Sequence, residues 1–159
     1  HGLVMENGLP TDATLSINRS GFVYDLVGNR QVAFSSATDK TYFDWQFAPC
    51  DGGVFMITDR PIADITIQVP ESASRGSQIK IDVTVIDDTG NALDAVVPVD
   101  IVIEDPAGRE AECSGYYGAV KGQLSITLQI AENDCPGLWR VHARELASAC
   151  SKNVYFRVK

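Results

Sequence analysis

Hydrophobic and polar residues alternate strictly along several stretches of the second half of the chain. A period of two places successive side chains on opposite faces of an extended backbone, so each stretch predicts a β-strand with one buried and one solvent-facing side. The predicted strands are 63–69, 78–86, 97–104, 123–130 and 153–159. Pro98 lies inside the third of them and lacks an amide hydrogen, which predicts an edge strand or a nitrogen that points outward.

Turn-forming residues separate these strands. Glycine, proline, asparagine, aspartate and serine cluster at 70–76, 87–91, 105–108 and 133–137. These residues favour the backbone angles of tight turns, and short strands divided by such turns are typical of an antiparallel sandwich or barrel. The stretch 115–118, Gly-Tyr-Tyr-Gly, is predicted to lie in a loop.

The segment 138–150 fits two patterns. As a helix it would align Trp139, Ala143, Leu146 and Cys150 on one stripe, and its Ala, Leu, Arg and Glu content favours that structure. As a strand it would direct Trp139, Val141 and Ala143 to the inward side. We favour a strand followed by a turn, because a final strand at 153–158 needs an antiparallel neighbour.

Residues 1–60 are predicted to form a small or partial β-domain. Short candidate strands lie at 22–27, 31–36, 41–47 and 53–58, and 1–14 carries no periodic pattern, which indicates an extended arm or a strand remnant. Four short strands bury little apolar surface, which makes the domain marginally stable by itself. We therefore expect it to be completed by missing upstream sequence or by packing against the second part. A boundary near Asp59–Pro61 leaves 61–159 for a seven-stranded immunoglobulin-like sandwich. The expected fold class is all-β.

Composition narrows the classes of partner. The chain has 159 residues and a net charge of −8 without any basic run, which argues against a nucleic-acid partner or an anionic membrane surface. No apolar stretch is long enough to span a membrane. The chain starts at His1 without a signal pattern, which predicts a mature product or a fragment.

The four cysteines are Cys50, Cys113, Cys135 and Cys150. No C-x-x-C spacing supports a zinc site, and three disulfide connectivities stay open beside the alternative of four unpaired thiols. An even cysteine count in an acidic, lysine-poor chain predicts export, to an extracellular or periplasmic location.

The sequence contains few residues and no recognisable motif that could support catalysis. His142 is the single histidine inside the chain, and it falls on the polar side of its predicted strand. No nucleophile elbow, phosphate-binding loop or metalloprotease motif is present, and no pair of acidic residues is marked as buried. Asp87, Asp88 and Asn91 fit a plain turn better than a calcium loop. We therefore expect no enzyme activity, no cofactor and no metal site.

Aromatic residues offer the best candidates for ligand binding. In 41–47, Tyr42 and Asp44 share one strand face, while Phe43 and Trp45 share the other with Phe47. A tyrosine beside carboxylate and amide groups can hold a sugar ring, although the opposite face fits core packing. Tyr116 and Tyr117 are further candidates, for binding or for covering a sheet edge. The predicted ligand-binding residues are Tyr42, Asp44, Tyr116 and Tyr117.

Two motifs carry a family resemblance. They are the turn Asp105-Pro106-Ala107-Gly108 and the strand entry Asn133-Asp134-Cys135-Pro136-Gly137-Leu138-Trp139-Arg140-Val141. Both belong to the segment 77–158, which resembles the C-terminal immunoglobulin-like or macroglobulin-like tail of large secreted bacterial glycoside-hydrolase-like proteins. The segment 21–58 resembles the end of the small β-domain that follows a catalytic barrel. The resemblance implies that Trp139 packs in the core, and it transfers no catalytic residue.

These observations predict a non-catalytic accessory or structural module of a larger exported carbohydrate-active protein. Its expected partner is the catalytic body of that parent protein, with a glycan as a second candidate. The alternatives are a carbohydrate-binding module and an adhesion or protein-interaction module that adds a partner strand to a sheet edge.

Overall fold

The computed structural model describes residues 9–159, and all regular elements in this range are β-strands. No helix in the described range is long and apolar enough to cross a membrane. The chain forms two compact units divided after Pro61. Residues 1–8, where the expected arm 1–14 begins, lie outside the described residues.

The first unit contains two small antiparallel sheets. Its strands are β1 (Thr11–Ile17), β2 (Phe22–Asp25), β3 (Arg30–Val32), β4 (Ser35–Ala37), β5 (Lys40–Phe47) and β6 (Phe55–Thr58). The sheet orders are β1-β5-β4 and β3-β2-β6. Of the two alternatives for 1–14, an extended arm or a strand remnant, residues 11–14 follow the second, because β1 pairs with β5 from Thr11 to Ile17.

Aromatic rings connect these two sheets. Phe55 of β6 lies edge-on to Phe43 and to Trp45 of β5, with ring centroids 4.9 and 4.8 Å apart. Phe43 is buried, as are Val23 and Tyr24 of β2. The aromatic rings of β2, β5 and β6 therefore supply apolar surface to the core of this unit.

The second unit is a two-sheet sandwich. Its strands are β7 (Ile62–Gln68), β8 (Ser72–Ala73), β9 (Gln78–Asp87), β10 (Val97–Glu104), β11 (Gly115–Ala119), β12 (Gln123–Gln129), β13 (Gly137–Glu145) and β14 (Ser151–Val158). One sheet has the order β12-β9-β7 and the other β11-β10-β13-β14-β8. All pairs are antiparallel except β14 with β8. This order is that of an immunoglobulin-like sandwich, and the predicted all-β fold class is confirmed.

The core of the sandwich follows the alternation in the sequence. Strands β9 and β10 bury every second residue, including Ile81, Val83, Ile101 and Ile103. Trp139 of β13 is buried and packs on Phe156 of β14, with ring centroids 5.9 Å apart. Side chains from both sheets therefore fill one apolar layer.

The second unit also settles several local predictions. The segment 138–150 is a strand followed by a turn, as predicted. The stretch 115–118 is not a loop but part of β11, which pairs with β10. The sandwich has the predicted number of seven strands besides the two-residue β8, but one of the seven, β11, lies where a loop was predicted.

The edge position predicted from Pro98 is wrong, because β10 lies between β11 and β13. The carbonyl oxygen of Pro98 accepts a hydrogen bond from the N–H of Leu146, just beyond the end of β13. In an antiparallel strand the nitrogen of a residue points to the same side as its carbonyl. The nitrogen of Pro98, which carries no hydrogen, therefore points toward β13 at the position where the pairing of β10 with β13 ends.

Candidate ligand-binding faces

The polar face of the sheet β1-β5-β4 holds two of the predicted site residues. Tyr42 is half-buried between Ser16 of β1 and Ser35 of β4, and Asp44 is exposed. The Thr14 hydroxyl donates a hydrogen bond of 2.7 Å to Asp44 Oδ1. The structure thus brings Tyr42 and Asp44 onto one surface that is lined by hydroxyl groups.

The same face continues one pair further along the two strands. Gln46 of β5 donates through Nε2 to Asp12 Oδ1 of β1, at 2.9 Å. Hydroxyl, carboxylate and amide groups in a flat row next to a tyrosine can exchange hydrogen bonds with the hydroxyls of a sugar ring. The polar residues of β1 were missed in the sequence, although Asp12, Thr14 and Ser16 alternate there with Ala13, Leu15 and Ile17.

Trp45 departs from a pure core role. Its side chain is only half-buried, and the Arg30 guanidinium carbon lies 5.5 Å from the centre of its ring. Its indole Nε1 is buried without a hydrogen-bond partner among the described residues. A buried N–H without a partner is rare in folded proteins. Trp45 therefore lies at the border of the aromatic core, on the opposite side of β5 from Tyr42 and Asp44.

The other two predicted residues lie in the second unit and point to opposite sides of β11. Tyr116 is 79% exposed and is paired across the sheet with Asp100 of β10. Tyr117 is half-buried, and its hydroxyl donates 2.6 Å to the carbonyl oxygen of Cys113. The side chain of Tyr116 is thus available to a ligand, whereas the hydroxyl of Tyr117 is engaged in a hydrogen bond to the backbone of the same chain.

Basic side chains share the outer face with Tyr116. Asp100 is flanked by Arg144 of β13, and Arg140 forms an ion pair with Glu104 at 2.6 Å. His142 Nδ1 lies 3.0 Å from Asn153 Oδ1 on the same face. This side of the five-stranded sheet is polar and carries both acidic and basic side chains.

Buried carboxylates close turns in both units. Glu145 is fully buried at the end of β13 and accepts hydrogen bonds from the N–H groups of Ala147, Ser148 and Cys150 and from the Ser148 hydroxyl. Asp87 accepts from the N–H groups of Thr89 and Asn91 in the turn after β9. In each case the N–H groups of a turn, in place of water, donate hydrogen bonds to the buried carboxylate.

Two of the turn carboxylates have a lowered pKa. The pKa of Asp105 lies below its usual value, mainly because its carboxylate accepts a hydrogen bond from the backbone N–H of Arg109. The Arg109 guanidinium and the N–H of Ala107 lower this pKa further, and burial opposes them. Burial alone would raise the pKa of Asp25, but the N–H of Gly28, the Arg30 side chain and the N–H of Val27 lower it overall. A catalytic general acid needs the opposite shift.

The cysteines are free thiols in the structure. Cys50 is exposed and the other three are half-buried, and burial raises the pKa of the Cys113 thiol. Within residues 9–159, no group of histidine, cysteine and acidic side chains is arranged to hold a metal ion.

No protein family and no curated protein sequence matches this chain. Among solved structures it is similar to the Yersinia pseudotuberculosis adhesin InvE, with 12% identity, a TM-score of 0.48, and coverage of 96% of this chain and 49% of the adhesin. It is also similar to the sulfur carrier protein SoxY from Chlorobium limicola f thiosulfatophilum, with 14% identity, a TM-score of 0.38, and coverage of 63% and 84%. A β-glucosidase from Listeria innocua matches with 14% identity, a TM-score of 0.38, and coverage of 60% and 16%. The chain thus spans about half of the adhesin chain.

Proposed function

We propose that this chain is a non-catalytic accessory module of a larger exported carbohydrate-active protein, located outside the cell or in the periplasm. The observation that supports a non-catalytic role is the use of the buried carboxylates. Asp25, Asp105 and Glu145 each accept several hydrogen bonds from the turn that they close. A carboxylate that is committed to its own turn has no free oxygen with which to move a proton on a substrate.

The test is an activity assay on the chain by itself. The chain is incubated with a panel of soluble and insoluble polysaccharides, and the release of reducing ends is measured. We expect no release above that of the heat-denatured protein. Turnover that disappears in an Asp105→Asn or Glu145→Gln variant, with the fold retained by circular dichroism, would contradict the proposal.

Carbohydrate binding is the second candidate function, and the face around Tyr42 supports it. Tyr42, Asp44 and Gln46 present a ring, a carboxylate and an amide in one row, with hydroxyl groups on both sides. Binding is measured on a glycan array and confirmed by calorimetry. We expect Tyr42→Ala to abolish binding and Tyr155→Ala, at an exposed tyrosine of the second unit, to leave it unchanged. The absence of any glycan that binds would remove this candidate.

A further inference from the structure

Strand β12 is an unprotected edge of the sandwich. It covers seven residues, Gln123–Gln129, and among the described strands it pairs with β9 alone. It contains neither a charged residue nor a proline, and its pairing with β9 is regular throughout. Proteins usually blunt long edges with charges, prolines or bulges, because an open edge accepts another strand.

The opposite edge of the same sheet has these protections. Strand β7 carries a register irregularity between Ile62 and Asp64. Asp64 also forms an ion pair with Lys152 at 3.4 Å. The exposed edge β12 is therefore a specific property of one side of the sheet.

Hydrogen bonds at both ends of β12 show which backbone groups face outward. The N–H of Ile130 donates to the carbonyl of Ser77, and its carbonyl accepts from the N–H of Gly76, both just before β9, while the carbonyl of Gly122 accepts from Val85. Since backbone groups alternate in direction along an antiparallel strand, the even-numbered residues of β12 face β9. Ser125, Thr127 and Gln129 consequently direct their N–H and C=O groups to the free edge.

The sequence of β12 has the same pattern in both directions, Gln-Leu-Ser-Ile-Thr-Leu-Gln. An antiparallel partner of identical sequence, centred on Ile126, therefore opposes Ser125 with Thr127, Leu124 with Leu128, and Gln123 with Gln129. Ser125 and Thr127 both direct their backbone groups outward, so this register also aligns donors with acceptors. A shift by one residue would oppose an outward-facing residue with an inward-facing one.

We propose that β12 is a homodimerisation strand, which pairs with β12 of a second copy of this chain about a two-fold axis at Ile126. The two three-stranded sheets then form one continuous sheet, and Ser125 and Thr127 of the two copies lie opposite each other on its outer face. A two-fold interface must be complementary to itself, and β12 meets this condition in sequence and in backbone direction. In a chain with a net charge of −8, its lack of charge avoids repulsion at the contact.

The surroundings of the strand fit this arrangement. An open cleft lies beside Thr127 and Gln129, and it is also lined by Glu112 and Cys113 from the segment before β11. The same register sets Lys121 of one copy opposite residue 131 of the other, next to Glu132. Opposite charges thus meet at both ends of the interface.

The test uses the full chain in sedimentation equilibrium over a range of concentrations. We expect a monomer–dimer equilibrium for the wild type. The double variant Ser125→Lys/Thr127→Lys places lysines opposite each other and should weaken dimerisation by about tenfold or more. The matched control Thr66→Lys/Gln68→Lys, on the opposite edge, should leave the equilibrium unchanged.

A charge exchange makes the test specific for the register. Ser125→Glu/Thr127→Glu should also be monomeric alone, while an equimolar mixture of the lysine and glutamate variants should form heterodimers. Thr127→Pro, at a residue whose N–H faces solvent in the monomer, should retain the thermal unfolding midpoint and lose the dimer. A wild type that is monomeric at all concentrations, or a dimer that tolerates the lysine variant, would overturn the proposal.

Discussion

The indole Nε1 of Trp139 donates a hydrogen bond to the carbonyl oxygen of Cys135, at 2.9 Å. Trp139 is the third residue of β13, and Cys135 lies in the turn that precedes this strand. The bond ties the turn to the same ring that packs against Phe156 in the core. A conserved tyrosine at the corresponding corner of immunoglobulin domains bonds back to the chain in a similar way. One side chain therefore fixes both the core and the entry to β13.

Trp139→Phe should separate these two roles. The ring still packs on Phe156, but the carbonyl of Cys135 loses its donor, and we expect a loss of about 1–2 kcal/mol in the free energy of unfolding, including some lost contact area. Trp139→Ala should cost about 3–5 kcal/mol, because it also leaves a cavity. Urea unfolding monitored by circular dichroism measures both. Equal losses for the two variants would show that the hydrogen bond has no separate effect.

Glu145→Ala should be among the most destabilising single changes in the second unit. The side chain is fully buried and satisfies three backbone N–H groups of the turn after β13, and its removal leaves them without an acceptor. We expect a loss of roughly 3 kcal/mol or more in the free energy of unfolding. The exposed Glu112→Ala serves as the control and should stay within about 0.5 kcal/mol of the wild type.

Gly122→Ala should destabilise the sandwich far more than Gly108→Ala. Both glycines have a positive φ, 69° and 76°. A Cβ at Gly122 would lie 2.7 Å from backbone atoms of Leu93, whereas one at Gly108 would meet nothing within 4 Å. We expect about 1–2 kcal/mol of strain for Gly108→Ala and a clearly larger loss for Gly122→Ala. Similar unfolding midpoints for the two variants would contradict this steric argument.

The stability of the fold should decrease in acid through Asp25 and Asp105. Both carboxyls have a folded-state pKa below the ordinary value of 3.8. Such a group stabilises the fold above its unfolded-state pKa, and the contribution is lost as the pH falls toward the folded-state pKa. The loss should therefore set in as the pH approaches about 3.8 from above and continue below it.

Chemical unfolding between neutral pH and pH 2 measures this loss. Asp25→Asn/Asp105→Asn should be less stable than the wild type at neutral pH and should show a flatter decline in acid. Asp94→Asn, at an exposed carboxylate, should keep the wild-type profile. A double variant with an unchanged acid decline would exclude these two groups as its source.

The two tyrosines of β11 should respond in opposite ways to substitution. Tyr117→Phe removes a hydroxyl that donates to the Cys113 carbonyl and should cost about 1 kcal/mol of unfolding free energy. Tyr116→Ala should leave stability nearly unchanged, since that side chain is 79% exposed. If Tyr116 contacts a glycan, the same change lowers the affinity measured by calorimetry. A stability loss at Tyr116 as large as that at Tyr117 would contradict the assigned orientations.

The alternation of residues determined much of the second unit without any tertiary information. The predicted strands 78–86 and 97–104 correspond to β9 and β10, because a strand with one buried face needs apolar side chains at every second position. The turn 105–108 was also predicted, and Gly108 adopts a φ of 76° there. These features depend on residues that are close in sequence.

The first unit and the candidate faces depended on contacts between distant residues. Strand β1 pairs with β5 over its whole length, and the alternation in 11–17 includes only two large apolar residues, Leu15 and Ile17, so it was missed until its partner was known. Tyr42 and Asp44 share a face, as their spacing of two predicted. Their polar neighbours Ser16 and Thr14 come from a strand about 30 residues away.

The sequence by itself determined that this chain is an all-β protein with an immunoglobulin-like second unit, since periodicity and turn chemistry are local. Only the tertiary structure decided that β10 is a central strand, that Tyr117 is engaged while Tyr116 is exposed, and that the edge of β12 is open. The physical reason is that strand order and the direction of backbone hydrogen bonds are set by partners far along the chain.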